Sequence, residues 1–225
     1  MVGWSIVADT LVDCRRVGRT YHRGGVPVVA LTDVTVSVRA GDRIAVVGPS
    51  GGGKSTLLQL MGGLDIPSEG DITWPALGER ASLRPRRIGY VFQTQSLLAP
   101  LTVVENVALP LLLVGESADS ARARALEILG QLDLAVIADK LPEELSGGQA
   151  QRVAVARAFV GRPRLILADE PTGQLDHPTA QHLFDVLLAT LADSDTAVVV
   201  ATHDVAIAQR LPMQWRLSHG QLGAG

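Results

Sequence analysis

The stretch "GPSGGGKST", residues 48 to 56, fits G-x-x-x-x-G-K-[S/T], with Gly48, Gly53, Lys54 and Ser55 at the fixed positions. That spacing suits one chemistry, the holding of a polyphosphate. Glycines let successive backbone N–H groups converge on anionic oxygens, and a following helix adds the partial positive charge of its N-terminus. Gly48, Pro49, Ser50, Gly51, Gly52, Gly53, Lys54, Ser55 and Thr56 are accordingly read as a nucleotide-binding loop. Lys54 would reach the β- and γ-phosphates as a point charge, and the Ser55 hydroxyl would ligate Mg²⁺.

An acidic pair supplies the other half of such chemistry. In "RLILADEPTGQLD" an apolar run ends at Asp169, placed to hold Mg²⁺ through water, and Glu170 could orient or deprotonate an attacking water. Alone, the pair would be an ordinary acidic cap after a core strand. Gln93 in "VFQTQ" follows another short strand; its amide could ligate Mg²⁺ or position water. His203 in "ATHD" follows the run "AVVV" and falls at the same kind of strand end. The other four histidines, His22, His177, His182 and His219, are read as structural or exposed.

A second phosphate device follows. In "LSGGQAQRVAVARA", residues Leu145, Ser146, Gly147, Gly148 and Gln149 lead into a helix expected to start near Gln149. Its N–H groups and dipole form another anion site. By itself this would be a plain helix start with a solvated turn. A nucleotide already cradled by one loop leaves a second device a use if it covers the γ-phosphate from the opposite side, most simply from a second copy of the chain.

The elements that must position these residues can be read coarsely. "RIAVV" (43–47), "RLILA" (164–168) and "TAVVVA" (196–201) are continuous apolar runs, as expected of parallel strands buried on both faces. Each is followed at once by polar residues, where ligands of open parallel sheets sit. The N-terminal third reads as short antiparallel strands, "SIVADTLVDCRRV" and "PVVALTDVTVSVRAGD", with Val34, Val36 and Val38 alternating toward one buried face. The middle is helical: "SADSARARALEILGQLDL" spaces Leu126, Leu129 and Leu132 for one helix face, with Ser117, Asp119 or Ser120 as N-cap. The tail "QWRLSHGQLGAG" predicts a hairpin turning at His219-Gly220.

Composition narrows the partners. A net charge of −3 argues against nucleic acid as the main partner. The single cysteine, Cys14, rules out an internal disulfide and is expected to be a small buried strand residue. A lipid-attachment role in "LVDC" lacks the basic n-region and small residues it requires. The longest clean apolar run, "VALPLLLVG" (107–115), is broken by Pro110 and falls far short of the ~20 residues of a spanning helix. Any work at a membrane is therefore expected of a partner.

The order of these motifs, phosphate loop, Gln93, "LSGGQ", "LILADE", "GQLD" and "ATHD", resembles the ATP-binding cassette (ABC) ATPases over nearly the whole chain. "LSGGQ" upstream of the acidic strand is the most specific part. The resemblance implies an α/β P-loop NTPase of RecA-like type, with a parallel-sheet core, an N-terminal antiparallel β subdomain and an inserted helical subdomain. The core is expected at about 1–93 and 159–225, the helical part at about 94–158. It implies a head-to-tail, ATP-dependent homodimer in which each "LSGGQ" covers the partner's ATP. It also makes Tyr21 the adenine-stacking aromatic and gives Asp176 to communication across the dimer.

"MGGLDIPSEG" and "FQTQSLLAPLTVVENVALPLL" look like the lipoprotein-releasing, macrolide-exporting and cell-division branch of that family. That likeness implies a separate integral membrane permease, a cytoplasmic position against the inner face of the membrane, and export or mechanical work. Gln95 and Ser96 depart from the branch's usual aromatic and Asn, and Gln174 from its Asn or Ala; Gly52 stands in place of Ser. The competing reading, a soluble ABC-type ATPase acting on DNA or ribosomes, would call for a long coiled coil or two cassettes in one chain. A kinase or GTPase has no account of "LSGGQ".

Overall fold

The computed structural model describes residues 9–94 and 96–223. They fall into two compact units, the first running to Leu83 and resuming at Asp195, the second spanning Arg84–Ser194.

In the first unit β1 (Thr10–Arg23) and β2 (Val26–Arg39) form an antiparallel hairpin. They are joined through Gly24-Gly25 at φ 56° and 83°, the twist that two-residue hairpin turns demand. The short strands expected from the sequence are thus two strands of 14 residues each. Polar residues that read as strand ends sit at irregularities instead. The β1–β2 register shifts between Cys14 and Val17, and Arg16 and Asp33 take positive φ. Residues 5–8 of the first predicted strand lie outside the described residues. The alternation holds: Val34 and Val38 are fully buried and Val36 half-buried. Cys14 is buried in β1, where desolvation, reinforced by the charge of Asp13, pushes its thiol up to about 12.

Against the other edge of β1 lies β4 (Glu69–Thr73), giving the order β2-β1-β4. A parallel set forms the rest of this unit. β3 (Arg43–Val47) is flanked by β7 (Ala197–Thr202) and β8 (Met213–Ser218). Its Ile44, Ala45 and Val46 are completely buried, as a strand covered on both faces requires. β9 (Gln221–Leu222) returns antiparallel to β8 around the expected His219-Gly220 turn, with φ 49° and 75°. Helix α1 (Lys54–Met61) buries Leu57, Leu58, Leu60 and Met61 and packs on β1, β2 and β7.

The second unit pairs β5 (Ile88–Val91) with β6 (Leu165–Asp169) in parallel. Its helices are α2 (Val103–Leu113), α3 (Ala118–Gln131), α4 (Gly147–Phe159) and α5 (His177–Thr190). Ser117 caps α3, one of the three expected choices. Leu129 and Leu132 are buried, but Leu126 is 36% exposed. The buried stripe of α3 runs through Ala121, Ala125, Ile128 and Leu129, because small alanines let α2 and α4 approach and turn Leu126 outward. Helix α4 starts at Gly147, two residues ahead of expectation, since Ser146 is its cap. Pro110 lies inside α2 without ending it. Among the described residues no helix is long and apolar enough to cross a membrane.

Candidate active site

In the first unit the buried strand β3 delivers the chain into the loop that begins at Gly48, and α1 starts where the loop ends. Two of the glycines are dictated by neighbours. A Cβ at Gly48 would lie 1.9 Å from the Leu217 carbonyl oxygen, and one at Gly53 would lie 2.5 Å from that of Ala30. Gly53 also holds φ 100°, a left-handed conformation that caps α1. Beneath it the Gly220 N–H donates to the Gly52 carbonyl at 3.2 Å, and the Thr32 N–H donates to the Gly220 carbonyl at 2.8 Å. The tail hairpin and β2 therefore hold the loop from below. Sequence reasoning missed Ala30, Leu217 and Gly220 in this role; the available signal was that Gly51 and Gly52 exceed what the motif requires.

Lys54 is buried at 7% exposure, and its ammonium donates to the carbonyls of Gly48 and Pro49 at 2.9 and 3.1 Å. Those two carbonyls compensate a cation that would otherwise be costly to bury. Ser55 and Thr56, in the first turn of α1, are half-buried. His203 directly follows β7 and is exposed. It shares a cavity of about 530 Å³ with Gly48, Gln214 and Arg216, at the carboxyl ends of β3 and β7. The structure thus joins His203 to the start of the phosphate loop.

Tyr21 lies half-buried on β1, opposite Val28. Its hydroxyl donates to Asp65 Oδ2 at 2.8 Å, and the Arg19 guanidinium sits 4.6 Å from its ring centroid. Arg19 also grips Asp65 through Nε and a terminal nitrogen at 2.9 and 2.8 Å. Burial works to raise the Asp65 pKa, but donors from Ile66, Tyr21 and Arg19 outweigh it and hold the carboxyl below its ordinary value. Neither Arg19 nor Asp65 was singled out from the sequence.

In the second unit Asp169 closes β6 at 4% exposure and Glu170 follows at 8%. Glu170 has φ 49°, a strained backbone for a residue with a side chain. Its carbonyl accepts from the Gly173 N–H at 3.1 Å and from Gln151 Nε2 of α4 at 3.4 Å. Tyr90 of β5 has a buried hydroxyl with no hydrogen-bond partner among the described residues. Burial first, and the charge of Asp169 second, raise its pKa above the ordinary tyrosine value. Gln93 is exposed just past β5. Gln95, where the sequence departs from its branch, lies outside the described residues. Ser96 is held by Arg157 of α4, whose guanidinium donates to its carbonyl at 2.9 Å and its hydroxyl at 2.6 Å.

Around "LSGGQ" the geometry is a reciprocal cap. The Ser146 hydroxyl oxygen accepts from the Gln149 N–H at 3.2 Å, and Gln149 Oε1 accepts from the Ser146 N–H at 2.9 Å. Gln149 is committed to this cap. The Ser146 hydroxyl still has its own proton to give, and the first-turn amides of Gly147 and Gly148 have no intrahelical acceptor. A Cβ at Gly148 would meet the Leu175 side chain at 3.1 Å, so this helix start packs on the segment that leads to Asp176. Asp176 caps α5, accepting from the Thr179 N–H at 2.9 Å; that bond lowers its pKa.

The Ser55 hydroxyl, Gln93 amide oxygen and Asp169 carboxylate are hard oxygen donors of the kind Mg²⁺ takes. Among the described residues no three His, Cys, Asp or Glu gather into a metal cluster.

Known proteins resemble this chain over most of its length. The profile of the ABC transporter family matches residues 31–173. The lipoprotein-releasing system ATP-binding protein LolD of Pseudomonas syringae pv. tomato is 43% identical over 220 residues, covering 94% of this chain and 96% of its own. LolD of Legionella pneumophila (strain Paris) is 43% identical over 223 residues, covering 96% and 98%. Among solved structures, the dimeric, post-hydrolysis ATP-binding cassette MJ0796 with ADP and phosphate superposes with a TM-score of 0.89 at 36% identity, covering 95% of this chain and 97% of that one. A second dimeric structure of that bacterial cassette gives a TM-score of 0.88 at 37% identity, with the same coverage. With a profile match across most of its length and relatives aligned nearly end to end, the chain belongs to the ABC transporter family.

Proposed function

We propose that this chain is the ATP-hydrolysing subunit of a membrane complex of the lipoprotein-releasing type, working as a head-to-tail dimer that ATP closes and hydrolysis opens. The membrane-spanning part is a separate permease, and the chain works against its inner, cytoplasmic face. Extended likeness to LolD proteins supports the choice of system. The observation that carries the dimer reading is the cap of α4, which leaves the Ser146 proton and two glycine amides available for a phosphate that the chain's own loop does not need.

In this reading Tyr21 stacks on adenine. The N–H groups of residues 48–56 and the Lys54 ammonium neutralise the β- and γ-phosphates. Lys54 would exchange the carbonyls of Gly48 and Pro49 for phosphate oxygens, so the site is built with its cation already aimed. Ser55, Gln93 and, through water, Asp169 would hold Mg²⁺, which would supply positive charge to neutralise the phosphate oxygens. Glu170 orients or deprotonates the attacking water. His203 steadies the γ-phosphate. Leu145, Ser146, Gly147, Gly148 and Gln149 form the lid over the partner's nucleotide, and Asp176 lies at the seam.

Loss of γ-phosphate removes the contacts of Ser146 and Gly148, so the closed state loses its differential stabilisation. Glu170→Gln should leave ATP binding intact and accumulate an ATP-bound dimer by light scattering. A variant that binds ATP yet stays monomeric would refute the sandwich.

A further inference from the structure

We propose that Asp65 and Arg19 are positioning residues for the nucleotide base: they lock the Tyr21 ring as a one-sided platform, with the Arg19 guanidinium on one face and the purine received on the other. The proposal rests on the reading of Tyr21 above and adds how the ring is aimed and which residues set the contribution of the base.

The ring is held at two points, and the two holders are tied to each other. Its hydroxyl is fixed to Asp65 Oδ2 at 2.8 Å, its face is covered by Arg19 at 4.6 Å, and Arg19 is itself clamped to both oxygens of Asp65. Ser68 continues the latch, since its hydroxyl accepts from the Thr20 N–H at 3.1 Å. The side chains of Arg19 and Asp65 are only 24% and 21% exposed, so the pair is shielded from the solvent that weakens surface ion pairs.

Position along the chain explains why this matters to the phosphate site. Helix α1 starts at Lys54 and ends at Met61, and Asp65 follows shortly beyond. One short, rigid helix therefore carries the phosphate lysine at one end and the tyrosine's anchor past the other. The second tie runs through β2. Arg19 pairs with Leu31 and Tyr21 with Val28, while Ala30 and Leu31 press on Gly53 of the phosphate loop. The ring is thus registered to the loop from both sides. A guanidinium over one face of a tyrosine is favourable, and it leaves the opposite face for stacking on a base.

The test compares affinity for ATP with affinity for inorganic tripolyphosphate, which has phosphates but no base. A general loss of structure moves both; loss of the platform moves only the ratio. Tyr21→Ala should lower the ATP-to-tripolyphosphate ratio by about tenfold, within the range of aromatic–base stacking. Asp65→Ala and Arg19→Ala should each lower it by about threefold or more with tripolyphosphate binding unchanged, as a partial loss of the same stacking. Asp65→Asn, which keeps an acceptor for the hydroxyl, should restore part of the loss. Tyr21→Phe keeps the ring, drops the tether and should fall between wild type and Tyr21→Ala. An unchanged ratio in Asp65→Ala and Arg19→Ala, with Tyr21→Ala still impaired, overturns the positioning role alone. Tighter ATP binding by Arg19→Ala would show that the guanidinium occupies the purine's face and also overturns it. An unchanged ratio in Tyr21→Ala refutes the adenine-stacking reading itself.

Discussion

Lys54 shows how a single side chain can be satisfied and still be available. Its ammonium rests on two carbonyls of its own loop, contacts that phosphate oxygens can replace with stronger, charge-assisted ones. Lys54→Ala should therefore lower ATP turnover by about 100-fold or more, because a preorganised charge at the transferring phosphoryl group is lost. Far-ultraviolet circular dichroism should be unchanged. Retained turnover in a phosphate-release assay would remove the residue from the chemistry. The residue types of the proposed site were legible in the sequence because phosphate chemistry constrains them tightly: glycine, lysine and hydroxyl at fixed steps, then a carboxylate at a strand end. Arg19 and Asp65 were not legible. They meet only through the fold, forty-six positions apart, and nothing local marks them.

Elements explain the demands that residues alone cannot. The phosphate loop is supported by β8 and β2, and the Leu217 carbonyl fills the space a Gly48 side chain would need. Gly48→Ala should destabilise the protein by about 2–4 kcal/mol, since the clash is with backbone that cannot rotate away. A thermal melt shifted by several degrees would agree, and an unshifted one would dismiss the contact. Helix α2 offers a milder test. Thr102 and Glu105 form a reciprocal cap, with the Thr102 N–H and hydroxyl both donating to the Glu105 carboxylate at 2.8 and 2.7 Å. The hydroxyl bond and the backbone bond hold the Glu105 pKa below its ordinary value. A carboxyl depressed in the fold adds stability at pH above its unfolded pKa and loses it as pH falls through the folded one. The cost of Thr102→Ala, about 1 kcal/mol near neutral pH, should shrink in acid below about pH 4. Pattern alone found these helices, but the faces of α3 escaped it. Leucine spacing favoured Leu126, whereas close packing on α2 and α4 selects the alanines.

At the scale of the whole molecule, the long β1–β2 hairpin is the largest departure from what the sequence announced. Bulges and left-handed residues let a strand run on through charged positions such as Arg15 and Arg16, and periodicity has no means to register that continuity. Its central tenant is Cys14, the sole thiol of the chain, sealed in β1 and carrying a proton far above neutral pH. Thiolate is the reactive species, so Ellman's reagent should find no sulfhydryl in the native protein and one after guanidinium unfolding. Rapid labelling of the native form would contradict the burial. The wild-type chain is in consequence a silent background for site-directed spectroscopy: a cysteine engineered on the surface would accept a dye, a spin label or a cross-linker alone, and opening and closing could be timed without first removing the natural one.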